Sequence, residues 1–245
     1  MKTKLGESIN RSTLESDVDA RLHVLQQEIL LQMGPHWNLH SNLFIKRISL
    51  SRILYFHHLY SLIQDIPGVI CEFGVQWGAS LALLSNLRAI HEPYNYSRKI
   101  IGFDTFSGFN EPHSKDGAQV AKGDYASMEN YEESLSEILS LHESLAPISH
   151  IQKFELVKGD ASVTFPAWLE QQPQTIVSMA IFDMDVYQPT RDVLETIIPR
   201  LVRGSVLVFD ELNCPRFPGE TLALLEVIGL NKLKLRRDPH QPYCA

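Results

Sequence analysis

From Gly68 onward, short apolar runs of β-forming composition alternate with longer stretches of helical spacing. "GVICEF" is followed by the helical "GASLALLSNLRAI", and "KIIGF" by a polar stretch and then "MENYEESLSEILSLHESL". "FELVKG" leads to "VTFPAWLEQQ", "TIVSMAIF" to "TRDVLETIIPRL", and "SVLVF" to "GETLALLEVIG". The last run, "KLKLRR", alternates as a strand does. Strands joined through helices cannot pair as hairpins. They need crossovers, so the expectation is an α/β fold with a mainly parallel sheet covered by helices on both faces.

Before this region the pattern is helical. "VDARLHVLQQEILLQM" (18–33) carries Leu22, Leu25, Ile29 and Leu30 on one stripe, and Gly34-Pro35 stops it. "SLSRILYFHHLYSLIQ" (49–64) predicts a second helix, and Pro67-Gly68 marks a turn. The division expected is therefore a helical extension over 1–66 and one α/β domain over 67–245, with a polar, loosely ordered start up to about Asp17. The segment from Asn110 to about Ser127 is long and carries charge, Gly and His, and loops of that length in compact domains are usually lids or disordered.

With 44% hydrophobic and 21% charged residues, 245 residues suffice to bury a core. A net charge of −7 excludes the basic excess that nucleic-acid binding needs. Cys71, Cys214 and Cys244 have no paired spacing, which fits a reducing compartment. No apolar run approaches the ~18 residues of a membrane span, and the N-terminus has no apolar signal core. A cytoplasmic protein without membrane or nucleic-acid partners is expected.

Open parallel sheets bind ligands at the carboxyl ends of their strands. Each predicted strand delivers an acid there: Glu72, Asp104, Asp160, the pair Asp183 and Asp185, and the pair Asp210 and Glu211. Gly74 and Gly78 flank the first strand-to-helix turn. Gln76 stands where the dinucleotide fingerprint has its middle glycine. Asp104 is placed for ribose hydroxyls, or as a turn cap; Asp160 for an adenine amino group, or as a helix N-cap. Asp183 and Asp185 lie two apart, so on an extended strand both would face one side and repel unless a cation compensates. Asp210 follows Asp183 by 27 residues (210 − 183), a crossover's length that would make the two strands neighbours. Converging carboxylates suit Mg²⁺, Mn²⁺ or Ca²⁺; the alternative is capping and pairing with Arg191, Arg200 or Arg203.

"EFGVQWGAS", "GFDTFSGF", "KGDAS", "FDMDVYQPT" and "RGSVLVFDEL" occur in this order. Together they resemble the macrocin-type O-methyltransferases, and the "FDEL…P…PGE" continuation is most similar to the calicheamicin-pathway sugar O-methyltransferase branch. The resemblance spans about residues 40–235. It implies a class I methyltransferase fold, Rossmann-like with a seven-stranded type of sheet ending in an antiparallel hairpin. It implies S-adenosylmethionine and a divalent metal such as Mg²⁺ or Mn²⁺ as cofactors, with a sugar or sugar-bearing natural-product intermediate as acceptor. Glu72, Phe73, Gly74, Gly78 and Ser80 would line the methionine part of the cofactor. Asp104, Thr105 and Phe106 would lie at the ribose, and Gly159, Asp160 and Ala161 at the adenine. Asp183, beside the cofactor, would ligate the metal with Asp210 and Glu211. Asp185 would be the general base, with His113 as the lid histidine some members use. Many members have Asp-Asp where this chain has Asp210-Glu211.

The N-terminal helices are expected at the substrate side or at a homo-oligomer contact. There "FIKRISLSRILYFHHLY" mixes Lys46, Arg47 and Arg52 with aromatics. Two other classes compete: an NAD-type oxidoreductase, disfavoured by Gln76 and the second acidic pair, and a non-catalytic nucleoside-binding protein, disfavoured by the cost of keeping acids together without a ligand.

Overall fold

Each apolar run except the last becomes a strand. In the computed structural model, which describes residues 13–241, β1 is Val69–Phe73, β2 Ile100–Asp104, β3 Phe154–Lys158, β4 Val177–Phe182 and β5 Leu201–Phe209. The order is β3-β2-β1-β4-β5, and every neighbouring pair is parallel. All five carboxyl ends therefore share one edge. The chain winds from β1 outward to β3, then returns to the other side of β1 as β4, so the crevice between β1 and β4 is the switch point where such sheets bind ligands.

Helices α1 (Thr13–Leu30), α2 (Trp37–His40) and α3 (Arg47–Leu62) precede the sheet. The crossovers are α4 (Ala79–His91), α5 (Tyr131–Ser144), α6 (Ala161–Gln171) and α7 (Tyr187–Ile197), and α8 (Gly219–Val227) follows β5. Successive strand side chains point to opposite faces, and two apolar cores result. Ile70, Ile100, Met179 and Val208 pack with Phe56 and Tyr60 of α3, Leu84 of α4 and Leu135 of α5. Cys71, Ile101, Ala180 and Phe209 pack with Phe165 of α6, Leu194 of α7 and Leu224 of α8. β4 is buried throughout, as a central parallel strand must be. Phe103, Phe73, Phe182 and Phe209 stand side by side across four strands, with ring centroids 5.1, 5.4 and 4.8 Å apart in succession. Contacts of this kind add about 0.5–1.5 kcal/mol each beyond area burial, and they form a stiff floor below the strand ends.

Arg98, buried, closes the far edge. It donates to the carbonyls of Ile63, Ile66 and Gly68, in the turn between α3 and β1, and to Glu92. By contacts the chain divides into two compact units, Met1–Arg52 and Ile53–Ala245. The division falls inside α3, earlier than residue 66, because Tyr55, Phe56, Leu59 and Tyr60 belong to the core of the larger unit.

The C-terminal stretch departs from expectation. "KLKLRR" is not a strand: after a short 3-10 turn (Leu230–Lys232) it runs unpaired, with Leu233 half-buried and Leu235 exposed. Alternation there had only two apolar positions to bury, too few to hold a strand. Among the described residues the sheet has five strands and no antiparallel hairpin. Cys71 and Cys214 are free and buried, while Cys244 and the polar residues 1–12 lie outside the described residues. No described helix is long and apolar enough to cross a membrane.

Candidate active site

The hydrogen-bond ladder continues one residue past the strands, carrying the acids with it. Gly74 N–H donates to the Phe103 carbonyl (3.0 Å), Asp183 N–H to that of Phe73 (2.9 Å) and Asp210 N–H to that of Phe182 (3.1 Å). Gly74 has a φ of +91°, and a Cβ there would lie 2.0 Å from the Asp183 carbonyl oxygen. The absent side chain thus lets the β1 loop lie directly against the loop after β4.

Asp104 organises that β1 loop. One carboxylate oxygen accepts from Val75 N–H (2.6 Å) and Gln76 N–H (2.8 Å), and the other from Phe106 N–H (2.6 Å). Three of roughly four lone-pair positions are occupied by backbone, leaving one for a ligand hydroxyl. Thr105 donates to the Gly108 carbonyl and holds the next turn. Gln76 and Phe106 both have positive φ, strained for non-glycine residues. Glu72 has no solvent exposure and accepts from the Ser80 hydroxyl of α4. Gly78 starts α4 in the left-handed region, where Leu135 leaves no room for a Cβ.

Asp160 is the N-cap of α6, accepting from Ser162 N–H (2.8 Å), and its other oxygen accepts from the Asn110 amide (2.7 Å). The helix begins at Ala161, two residues before the expected start at Val163. Gly159 N–H joins the end of β2 through the Asp104 carbonyl. Of the two readings weighed for Asp160, the cap is the one visible in the hydrogen bonds.

Asp183 and Asp185 differ from expectation in geometry. β4 ends at Phe182, and Asp185 adopts φ +62°, so the two are not successive same-face residues of a strand. The turn nevertheless keeps the acids together. Burial, then the charges of Asp183, Glu211 and Asp210, push the Asp185 carboxyl well above the ordinary range. The four acids that end β4 and β5 are therefore one electrostatic cluster, as neighbouring strands in parallel register require. Arg191 is engaged elsewhere, with Glu195 and Glu226.

A fifth acid completes the cluster and was missed as a site residue. Glu220, in the first turn of α8, has no exposure, and its carboxylate oxygens accept from the N–H groups of Asp185 (3.2 Å) and Glu211 (3.1 Å). Burial, then Asp185 and Asp183, raise its pKa well above the usual carboxylate value. The only sequence signal was the Glu of "PGE". The donor set is hard oxygen throughout, the kind that Mg²⁺ and Mn²⁺ take. Among the described residues, however, no three of these side chains are gathered into a ready chelate.

The segment 110–127 leans on both acidic loops. The Asp116 carboxylate accepts from Tyr187 N–H (2.7 Å) and His113 N–H (2.7 Å). Lys115 donates to the Tyr187 hydroxyl (2.8 Å) and Glu226, and the Gln119 amide to the Arg216 carbonyl. The His113 ring lies 4.8 Å from that of Tyr187, and its Nδ1 accepts from Lys115 N–H. This places His113 beside the start of α7, with Nδ1 already used. Tyr125, also missed, turns from this segment toward the acids: burial, then Asp185 and Glu211, push its phenol up to about 12. His57 and His58 lie elsewhere, against His91 and Asp238.

The methyltransferase-domain family matches residues 71–212, from β1 to the acidic pair after β5. The calicheamicin methyltransferase CalS11 is 37% identical, over 96% of this chain and 93% of its own, with a TM-score of 0.90. Its apo structure, described as that of a TDP-rhamnose 3′-O-methyltransferase of calicheamicin biosynthesis, matches at 36% identity over 96% and 94%, with a TM-score of 0.82. The O-methyltransferase NovP shares the fold, at 17% identity over 72% and 71% with a TM-score of 0.51. No curated protein matches the sequence. A wound parallel sheet with acids at every strand end, matched along nearly its whole length by a calicheamicin methyltransferase, places this chain in the methyltransferase-domain family, as an S-adenosylmethionine-dependent O-methyltransferase.

Proposed function

We propose that the protein methylates a hydroxyl of a sugar in natural-product biosynthesis, with help from a divalent cation. The observation carrying this is the acidic cluster after β4 and β5, in a chain 37% identical over nearly its full length to a calicheamicin methyltransferase. S-adenosylmethionine supplies the methyl group as a sulfonium, and an acid-lined crevice suits that positive charge. Glu72, Phe73, Gly74, Gly78 and Ser80 would flank its methionine part, Asp104 with Thr105 and Phe106 its ribose, and Gly159, Asp160 and Ala161 its adenine. Asp183, Asp210 and Glu211 would hold Mg²⁺ or Mn²⁺, which when bound supplies Lewis-acid help in lowering a hydroxyl pKa.

Asp185 takes the acceptor's proton. Its raised pKa makes it a stronger base once ionised, and neighbouring positive charge favours that ionised form. Glu220 holds the backbone of Asp185 and Glu211 at fixed distances, so the base and the acidic pair move as a unit. The segment carrying His113 covers the start of α7 and excludes water beside it. Positioning of this kind supplies much of the remaining acceleration. We place the protein in the cytoplasm, where buried free thiols such as Cys71 stay reduced.

The test is methyl transfer from radiolabelled S-adenosylmethionine to TDP-rhamnose and to simple rhamnosides, with Mg²⁺ or with EDTA. Label should enter a sugar only in the presence of cation, with a loss of at least about 10²-fold under EDTA, in keeping with several kcal/mol of charge stabilisation. Undiminished transfer in EDTA would remove the cation, and no transfer to any sugar would remove the acceptor class.

A further inference from the structure

Asp104 and Asp160 stand on neighbouring loops that are bonded to each other. Gly159 N–H donates to the Asp104 carbonyl (2.8 Å), which holds the acid after β3 beside the acid after β2. Phe106 and Ala161, which follow the two acids, are buried and apolar. Acceptors for a ribose and for a base, with apolar residues beside them, suit a nucleoside laid across the ends of β2 and β3. Asp160 also has capacity to spare. A carboxylate offers about four lone-pair positions. Here one oxygen takes Ser162 N–H, and the other takes the Asn110 amide at 2.7 Å. The first bond already caps α6, so the helix does not need the second, which joins residues 50 apart in sequence.

Asn110 is placed by its backbone as well. Phe109, just before it, donates to the Asp124 carbonyl (3.0 Å) and accepts from Gly123 N–H (2.9 Å). These bonds close 110–122 into a loop with Asn110 at its first position. A carboxylate only accepts, so the Asn110 amide must turn its NH₂ to Asp160. Its carbonyl oxygen then points away from that contact, and among the described residues no donor reaches it. Two acceptors thus stand next to each other: the Asp160 carboxylate, and an amide oxygen whose orientation that carboxylate fixes.

We propose that Asn110, together with Asp160, reads the amino group of the cofactor's adenine. This rests on the placement of adenine at Asp160 above and adds a second residue that recognises it. An exocyclic amine carries two N–H donors, and each needs its own acceptor once water is displaced. Asp160 takes one and the Asn110 carbonyl takes the other. A base with an oxygen in the amine's place meets two acceptors and no donor. Sites built to bond a donor reject such analogues strongly, because their own polar groups are left unpaired. The bond from Asn110 to Asp160 therefore sets the amide's direction before the cofactor arrives.

The experiment titrates S-adenosylhomocysteine, its N6-methyl derivative and S-inosylhomocysteine by calorimetry into wild type, Asn110→Ala and Asp160→Asn. The last variant keeps an acceptor for the cap of α6. Wild type should bind the N6-methyl form about three- to tenfold more weakly than the parent, the size of one neutral hydrogen bond, since the remaining hydrogen goes to the charged acceptor. S-inosylhomocysteine should bind at least about a hundredfold more weakly. Asn110→Ala should weaken the parent by about three- to tenfold and bind the parent and the N6-methyl form equally, as a coupled pair requires. Asn110→Ala that binds the parent as wild type does, or that weakens all three ligands by one factor, would overturn the proposal, because a loop merely stiffened by Asn110 behaves so. Asp160→Asn that loses the preference for the amine, while Asn110→Ala keeps it whole, would overturn the role of Asn110 and leave adenine at Asp160. Wild type indifferent to all three bases, with parent binding unchanged in Asp160→Asn, would remove that placement and the proposal with it.

Discussion

Glu220 is a buried carboxylate whose oxygens accept from the N–H groups of Asp185 and Glu211, with Asp183 and Asp210 near enough for their charges to reach it. The hydrogen bonds favour its ionised form; burial and the neighbouring charges oppose it more strongly, and its pKa rises. The consequence for stability has a definite sign. An acid whose folded pKa exceeds its unfolded value binds more protons when folded, so stability falls as pH climbs from the unfolded pKa to the folded one. Each unit of difference costs about 1.4 kcal/mol by the upper end of that window. Asp185 is shifted in the same direction and adds to the slope. Urea unfolding in EDTA at pH 5.5, 7.0 and 8.5 should show wild type losing stability as pH rises. Glu220→Gln should show a shallower loss, because Asp185 alone then titrates. A wild type that gains stability across the same range, or identical slopes for both proteins, would refute the account.

The segment 110–127 caps an element that has no cap of its own. Val186, before α7, offers no side-chain acceptor; Asp116, 71 residues earlier, accepts from Tyr187 N–H instead. Removing an N-cap typically costs about 1 kcal/mol, and here the same bond ties the segment down. Asp116→Ala should therefore speed tryptic cleavage after Lys115 and Lys122 by roughly fivefold, the factor that about 1 kcal/mol gives, and lower kcat/KM. Asp116→Asn, which keeps an acceptor, should lie close to wild type; mass spectrometry of the first fragments reads the result. Cleavage at the wild-type rate would show that other contacts hold the segment. This latch was not legible in the sequence, because its partners are far apart and no local pattern connects them. The strand ends were legible. Apolar runs of the right length alternate with helices, and parallel winding sends every carboxyl end to one edge, so the acids of β4 and β5 could be placed together from a spacing of 27. The turn at Asp185 was not, since a left-handed residue just past a strand leaves no trace in periodicity. Nor was Glu220: an acid in a first helical turn reads as a helix-dipole partner until its burial is known.

At the scale of the whole molecule the two compact units are unequal. The larger one holds every strand, both apolar cores and all residues of the acidic cluster. In the smaller one, Met1–Arg52, Phe44 is the one buried apolar side chain among the described residues. Leu14, Val18, Leu31, Trp37, Leu39, Leu43 and Ile48 are exposed. A segment that buries so little cannot offset its own ordering entropy, which runs to about 1–2 kcal/mol per residue for the backbone alone. Apolar surface of this extent on a folded chain calls for a partner surface. A second copy of the chain is the partner we propose, and the division of the molecule then predicts how function separates. Light scattering should find the full chain as a dimer or larger assembly, and a chain beginning at residue 47 as a monomer that still binds S-adenosylhomocysteine. Because deletion alone could disturb folding, Leu39→Glu with Leu43→Glu in the full chain gives a second route to the same monomer. The burial of charge at an apolar contact is what would break it. A full chain that is already monomeric, or a doubly substituted chain that keeps its assembly, would show that these residues face something other than a second copy.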